Sequence, residues 1–244
     1  MRNRSDVDQP GRRQLRAEFD LLADSYYAQH KNNVAITGYT PDYFAEYKIA
    51  DLAELVSSMG FSANHILDFG SGIGNSAPFF RKYFQASELH CGDVSPRSIE
   101  VAQARFPGDE KYVLIGDDIP LPAGSQDVAF SACVFHHIPH DQHLHWLTEL
   151  RRVTRPGGLL AIYEHNPLNP LTLRAVNTCP LDVNARLIRA GEMRKRALAG
   201  GWQDPRVDYR VFLPSFLGAL RPVERRLGWL WLGAQYRLTA RRPA

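Results

Sequence analysis

The feature that most constrains this chain is the decapeptide ILDFGSGIGN at residues 66–75. An apolar run ends in Asp68, a turn carrying Gly70, Gly72 and Gly74 follows, and a helical pattern begins directly after it. Glycine reaches positive φ without steric cost and lets a ligand approach the backbone. A glycine-rich turn between a strand and a helix is where doubly wound sheets bind nucleotides. A GxGxG turn alone is also compatible with a tight turn and no ligand, so the surrounding pattern has to decide.

That pattern is strand–helix alternation. Apolar runs at 65–69, 88–92, 112–116, 127–133 and 159–165 read as strands, and the segments 77–84, 96–106 and 142–153 read as helices. Such alternation predicts βαβ units and a parallel sheet, with right-handed crossovers placing helices on both faces. The second strand ends in Gly92-Asp93 and the third in Gly116-Asp117-Asp118. Each Asp alone is an ordinary cap or turn residue. Three polar strand ends in succession lie on the carboxyl edge of the sheet, where open α/β sheets take ligands. An acid at Asp93 suits ribose hydroxyls, and one at 117 or 118 suits an adenine amino group. The turn lacks GxxxxGK[ST] and departs from GxGxxG. Asp68 would repel a pyrophosphate and attract an ammonium, which favours S-adenosylmethionine over NAD.

With these residues in view, the segment from about 64 to 166 resembles the class I S-adenosylmethionine-dependent methyltransferases of the bacterial small-molecule type. ILDFGSGIGN is similar to the first motif of that family, LHCGDVSPRSIEVAQARF to the second and GDDIPLP to the adenine-side motif. DVAFSACVFHHIP and ELRRVTRPGGLLAIYEHN are similar to the fourth-strand motif and to the helix–turn–strand after it. The resemblance implies an α/β, Rossmann-like, seven-stranded, mostly parallel sheet with one antiparallel strand near the edge. Segments 207–213 and 235–241 would supply the last two strands. It also implies S-adenosylmethionine as cofactor and methyl transfer to an oxygen or nitrogen of a small molecule. Carried over by position, Asp68, Gly70 and Gly72 would line the methionine end, and Asp93 and Val94 would hold the ribose. Asp117, Asp118 and Ile119 would flank the adenine, while Ala132, Cys133 and His137 would lie near the sulfonium. The C-terminal third is similar to bacterial methyltransferases of saccharide or secondary-metabolite pathways. The competing functions are an NAD-dependent oxidoreductase and a non-catalytic cofactor-binding module.

Outside this region the reading is coarser. Residues 1–13 are polar and predict a disordered tail. Residues 14–60 predict an N-terminal helical cap or lid, with helices at 14–29 and 41–58 and a polar loop at 30–40. Thr40 and Pro41 mark the second helix start. Residues 61–244 form the main domain, with 166–205 as a substrate-side insertion. NPLNPLT is Pro-rich and reads as irregular, 184–199 as a helix, and another helix begins at Ser215. Tyr26, Tyr27 and Tyr39 are candidate covers for a sulfonium. Trp229 and Trp231 read as core or as the face of a homodimer.

The net charge of +3, with the Arg pairs dispersed, argues against a nucleic-acid partner. Three scattered cysteines without CxxC argue against a disulfide framework. No apolar run approaches a membrane span, and a cytoplasmic setting is expected. His136 and His137 follow the fourth strand and are the candidate general bases. The run HHIPHDQHLH invites a metal reading. Its imidazoles share no compact face and lack partner acids, so no metal is expected.

Overall fold

The structure is a computed structural model that describes residues 17, 19–34, 38–213, 215 and 221–244. The expected tail at 1–13, residues 35–37 of the polar loop and most of the helix beginning at Ser215 lie outside the described residues. The elements run α1 (Tyr26–Val34), α2 (Pro41–Ser58), β1 (His65–Phe69), α3 (Ala77–Tyr83), β2 (Glu88–Asp93), α4 (Pro96–Arg105) and β3 (Lys111–Leu114). They continue with β4 (Gln126–Ala132), α5 (His143–Val153), β5 (Thr154–His165), α6 (Pro170–Asn177), α7 (Ala190–Ala199), β6 (Gln203–Arg210), α8 (Arg221–Glu224) and β7 (Gln235–Arg241).

One seven-stranded sheet has the order β3-β2-β1-β4-β5-β7-β6. The strands β1 to β5 pair in parallel, and β7 runs antiparallel to both β5 and β6. The order reverses beside β1, so the carboxyl ends of β1 and β4 open onto a switch point. Side chains alternate across the pleat, and the sequence obeys this on both faces. Leu160 and Ile162 of β5 join Leu67, Ala129, Leu147 and Trp202 in a core under α5 and α7. Leu159, Ala161 and Tyr163 join Ile66, Val128, Phe130, Ile49 and Phe80 under α2 and α3. The central stretches Ile66–Leu67, Val128–Phe130 and Leu159–Tyr163 are continuously apolar because both faces are covered there.

Local signals set several boundaries. The Thr40 hydroxyl accepts the Tyr43 N–H at 3.3 Å and Pro41 opens α2. The Ser95 hydroxyl accepts the Ser98 N–H at 2.9 Å and opens α4. Other boundaries differ from the sequence reading. The helix expected at 14–29 is broken by a turn at 23–25, and α1 restarts with Ser25 bonded to Gln29 and runs on to Val34. The Pro-rich NPLNPLT was expected to be irregular, yet its second half begins α6. Pro170 occupies the first turn and the Asn169 side chain accepts the Thr172 N–H at 3.0 Å. The helix expected at 184–199 starts only at Ala190, and β6 lies earlier than the expected 207–213.

Candidate active site

Everything gathered at the switch point follows from how β1, β2, β4 and β5 end. After β1, Gly70 and Gly72 take φ of 77° and 52°. A side chain at Gly70 would collide with Val134, so the turn can pass under the β4 loop only with glycine there. A side chain at Gly72 would meet nothing within 4 Å, and its N–H donates instead to Asp93 Oδ2 at 2.8 Å. The other oxygen, Asp93 Oδ1, accepts the Ser95 N–H at 2.9 Å. The β2 acid therefore clamps the glycine turn to the start of α4 and keeps further lone pairs for a ligand.

These groups line one cavity of about 830 Å³, within the range that houses drug-sized ligands. Asp68, Gly70, Gly72, Asp93, Val94, Ala132, Cys133, His136 and His137 all face it. Ser71 Oγ, His30 Nδ1 and Gln235 Oε1 are buried on this wall without a hydrogen-bond partner, as expected of groups awaiting a polar ligand. Burial, with Asp93 nearby, pushes the Asp68 carboxyl up to about 7, against the opposing pull of Lys48. Asp93 is likewise raised by burial, opposed by the N–H groups it accepts.

Asp117, Asp118 and Ile119 are not among the residues that line this wall. The third strand ends at Leu114, two residues short of the expected edge, and Ile115 takes the wall position. Asp117 and Asp118 are exposed beside His145, whose Nε2 donates to the Asp117 carbonyl at 2.8 Å. Ile119 is buried in the core, and its N–H donates to Glu149 Oε2 at 3.1 Å.

The far end of the cavity is built by the β4–α5 loop. Cys133 takes a φ of 58° as the chain leaves β4, a conformation uncommon for a side-chain-bearing residue. Glu164, at the end of β5, holds this turn in place. Its Oε1 accepts the Val134 and Phe135 N–H groups at 3.0 and 2.7 Å, and its Oε2 lies 2.6 Å from His136 Nδ1. His136 Nε2 and His137 Nε2 each lie 3.5 Å from Asp182 Oδ1. Flanked by two carboxylates, His136 is raised to about 10 despite its burial. His137 is lowered to about 3 by burial and by the cationic His136. His165 is lowered to about 4 by burial, then by His136. The loop thus presents an imidazolium next to neutral imidazoles.

The expectation that these histidines lack a partner acid is corrected by Asp182, in the one-turn helix Pro180–Asp182 before α7. No local pattern announces it. A second missed residue, Lys48, had a signal: it falls between the apolar positions Ala45, Ile49 and Leu52 on the buried face of α2. Of the three tyrosines, Tyr26 and Tyr39 line the cavity, whereas Tyr27 donates to Asp42 at 2.6 Å and carries Arg105 over its ring. The N-terminal segment crosses the cavity through Phe19, which meets His137 edge-on at 5.1 Å. The Ser95 hydroxyl ties it down by donating to Asp20 at 2.6 Å.

Residues 67–162 match the family model for a methyltransferase domain. An uncharacterized methyltransferase of Mycobacterium sp. (strain KMS) is 31% identical over 114 residues, covering 47% of this chain and 44% of its own. The chain thus spans less than half the length of that relative. A malonyl-[acyl-carrier protein] O-methyltransferase of Halorhodospira halophila is 25% identical over 228 residues, covering 88% and 70% of the two chains. The fold is shared with a SAM-dependent methyltransferase, possible histamine N-methyltransferase, of Thermotoga maritima. That structure has a TM-score of 0.63 at 14% identity and covers 93% of this chain and 99% of its own. Nothing in these matches supports the oxidoreductase or the non-catalytic module. Among the described residues no helix is long and apolar enough to cross a membrane. Residues 67–162 match a methyltransferase domain, and the β3-β2-β1-β4-β5-β7-β6 sheet that carries them has the fold of S-adenosylmethionine-dependent methyltransferases.

Proposed function

We propose that the protein transfers a methyl group from S-adenosylmethionine to an oxygen or nitrogen of a small molecule, a saccharide or secondary metabolite being the acceptor class. The observation that carries this reading is the continuity of one cavity from Asp68, Gly72 and Asp93 to His137 and Asp182. The Halorhodospira relative, named for O-methylation, adds weight to an oxygen acceptor. The reading includes a cytoplasmic setting and a homodimer assembled through the exposed Trp229 and Trp231.

The cofactor supplies an already electrophilic methyl group, so this chain's residues bind, orient and exclude water. Asp68 in its ionised form would pair with the amino-acid ammonium. Asp93 would accept the ribose hydroxyls through lone pairs left beside Gly72 and Ser95. Val94 and Ile115 offer apolar contact for the adenine. Phe19, Tyr26 and Tyr39 would cover the reacting end as a lid and keep water out. His136, held cationic between Glu164 and Asp182, is a poor proton acceptor. In the metal-free protein His137 is neutral and presents a lone pair toward the cavity, so positioning dominates over strong base catalysis.

Calorimetric titration with S-adenosylmethionine, S-adenosylhomocysteine and NAD tests the reading, followed by a screen of hydroxyl, carboxyl and amine acceptors with labelled methyl donor. One equivalent of S-adenosylhomocysteine and no NAD is the expected result. Saturable NAD binding without either sulfur ligand would replace it with the oxidoreductase.

A further inference from the structure

We propose that His136 Nε2, His137 Nε2 and Asp182 Oδ1 form a binding site for a divalent transition-metal ion at the acceptor end of the cavity. The three side chains are the one such set among the described residues, with candidate ligand atoms all within 4.8 Å of one another. Both imidazole nitrogens stand 3.5 Å from the same carboxylate oxygen. Ligands bonded at roughly 2.0–2.2 Å to one small cation sit at comparable mutual distances. All three residues face the cavity, so a bound ion would keep open positions toward it.

The surroundings have the features of an oriented ligand set. Glu164 Oε2 is 2.6 Å from His136 Nδ1, which fixes the ring and directs Nε2 toward Asp182. A carboxylate behind a ligating histidine is the usual way such a ring is fixed and made more basic. Glu164 is in turn fixed by the Val134 and Phe135 N–H groups. Two carboxylates, Glu164 and Asp182, face the imidazoles, and a divalent ion displacing the His136 proton would balance both charges. Two imidazoles and one carboxylate suit Zn²⁺, Fe²⁺, Co²⁺ or Mn²⁺ better than Ca²⁺. His165, with its ring 5.1 Å from that of His136, borders the same space. A role for the ion in binding and polarising an acceptor oxygen rests on the methyl-transfer reading; the site itself does not.

The test is titration of chelator-treated full-length protein with Co²⁺, following its d–d absorption in the absence of cofactor. One equivalent per chain is expected, with affinity at least tenfold weaker in Asp182→Asn and in His137→Ala, both checked for folding by circular dichroism. No saturable binding, or binding unchanged in both variants, overturns the site. If either variant unfolds, the wild-type protein loaded with Cu²⁺ decides by electron-spin-echo modulation: two coordinated imidazoles uphold the site and fewer overturn it. Because no methyl donor is present, failure of metal binding leaves the cofactor titration standing, and the reverse holds equally.

Discussion

Asp93 and Asp68 lie on the same cavity wall with different surroundings, and each gives a distinct expectation. Asp93 is anchored by two backbone N–H groups, so its carboxylate is oriented before any ligand arrives. Hydrogen bonds to a charged acceptor contribute about 1.5–3 kcal/mol each. Asp93→Ala should weaken S-adenosylmethionine binding at least tenfold by calorimetry while the fold survives; unchanged affinity would remove Asp93 from the site. Asp68 has its carboxyl raised from 3.8 to about 7. Below that pH it holds a proton and cannot pair with an ammonium, so cofactor affinity should rise with pH and level off above about 7. In Asp68→Asn this dependence should flatten. The stability effect has the opposite sign. A carboxyl that binds its proton more tightly folded than unfolded stabilises the ligand-free protein below pH 4, and this contribution is lost as pH rises through 7. Denaturant melts of wild type and Asp68→Asn across pH 4 to 8 check both the direction and the window.

Among the elements, α1 behaves least like part of the sheet. None of its residues is fully buried, and it reaches the rest of the molecule chiefly through α2 and the Pro180–Asp182 turn. Its anchor is polar, Tyr27 to Asp42, and the chain just before it is tied by Asp20 to Ser95 and by Asp24 to Arg97 at the start of α4. The exposed ion pair Asp24–Arg97 contributes little, and the hydrogen bonds of Tyr27 and Ser95 add only a modest net amount each, so the segment is held weakly across the cavity it covers. Saturation with S-adenosylhomocysteine should therefore slow amide exchange in residues 26–34, as a closing cover would. Equal exchange rates with and without the ligand would make this segment a fixed wall.

At the scale of the molecule, one charged network ties α2 to the antiparallel edge of the sheet. Asp51 accepts from the Tyr163 hydroxyl at 2.7 Å, from Arg210 at 3.0 Å and from Arg237 at 2.8 Å. Arg237 also donates to Asp208 at 2.9 Å and is buried in the middle of β7. Removing one partner of a buried pair leaves the other charge uncompensated. Asp51→Ala should accordingly cost about 3 kcal/mol in urea unfolding. A loss below about 1 kcal/mol would mean that Asp208 and water compensate Arg237.

How much of this was legible in the sequence depends on the range of the interaction. The five parallel strands, the glycine turn and β7 could be read because apolar period, turn chemistry and strand ends are local properties of the chain. Asp68, Gly70, Gly72 and Asp93 were legible for the same reason, each standing at a fixed offset from a strand. Element ends were harder. The start of α6 at Pro170 and the turn at 23–25 turn on whether a cap is used, and tertiary contacts settle that. Ile119 looked like a neighbour of the adenine by its place in a motif, but the early end of β3 turns it into the core. The pairing of His136 and His137 with Asp182, and of Glu164 with His136, could come only from the folded chain. These residues leave different elements and meet because the carboxyl ends of β4 and β5 are adjacent and the chain after α6 folds back across them. Sequence by itself determined the sheet and the acid-and-glycine end of the cavity; tertiary structure decided the histidine end, because burial and charge there come from groups far apart in the chain.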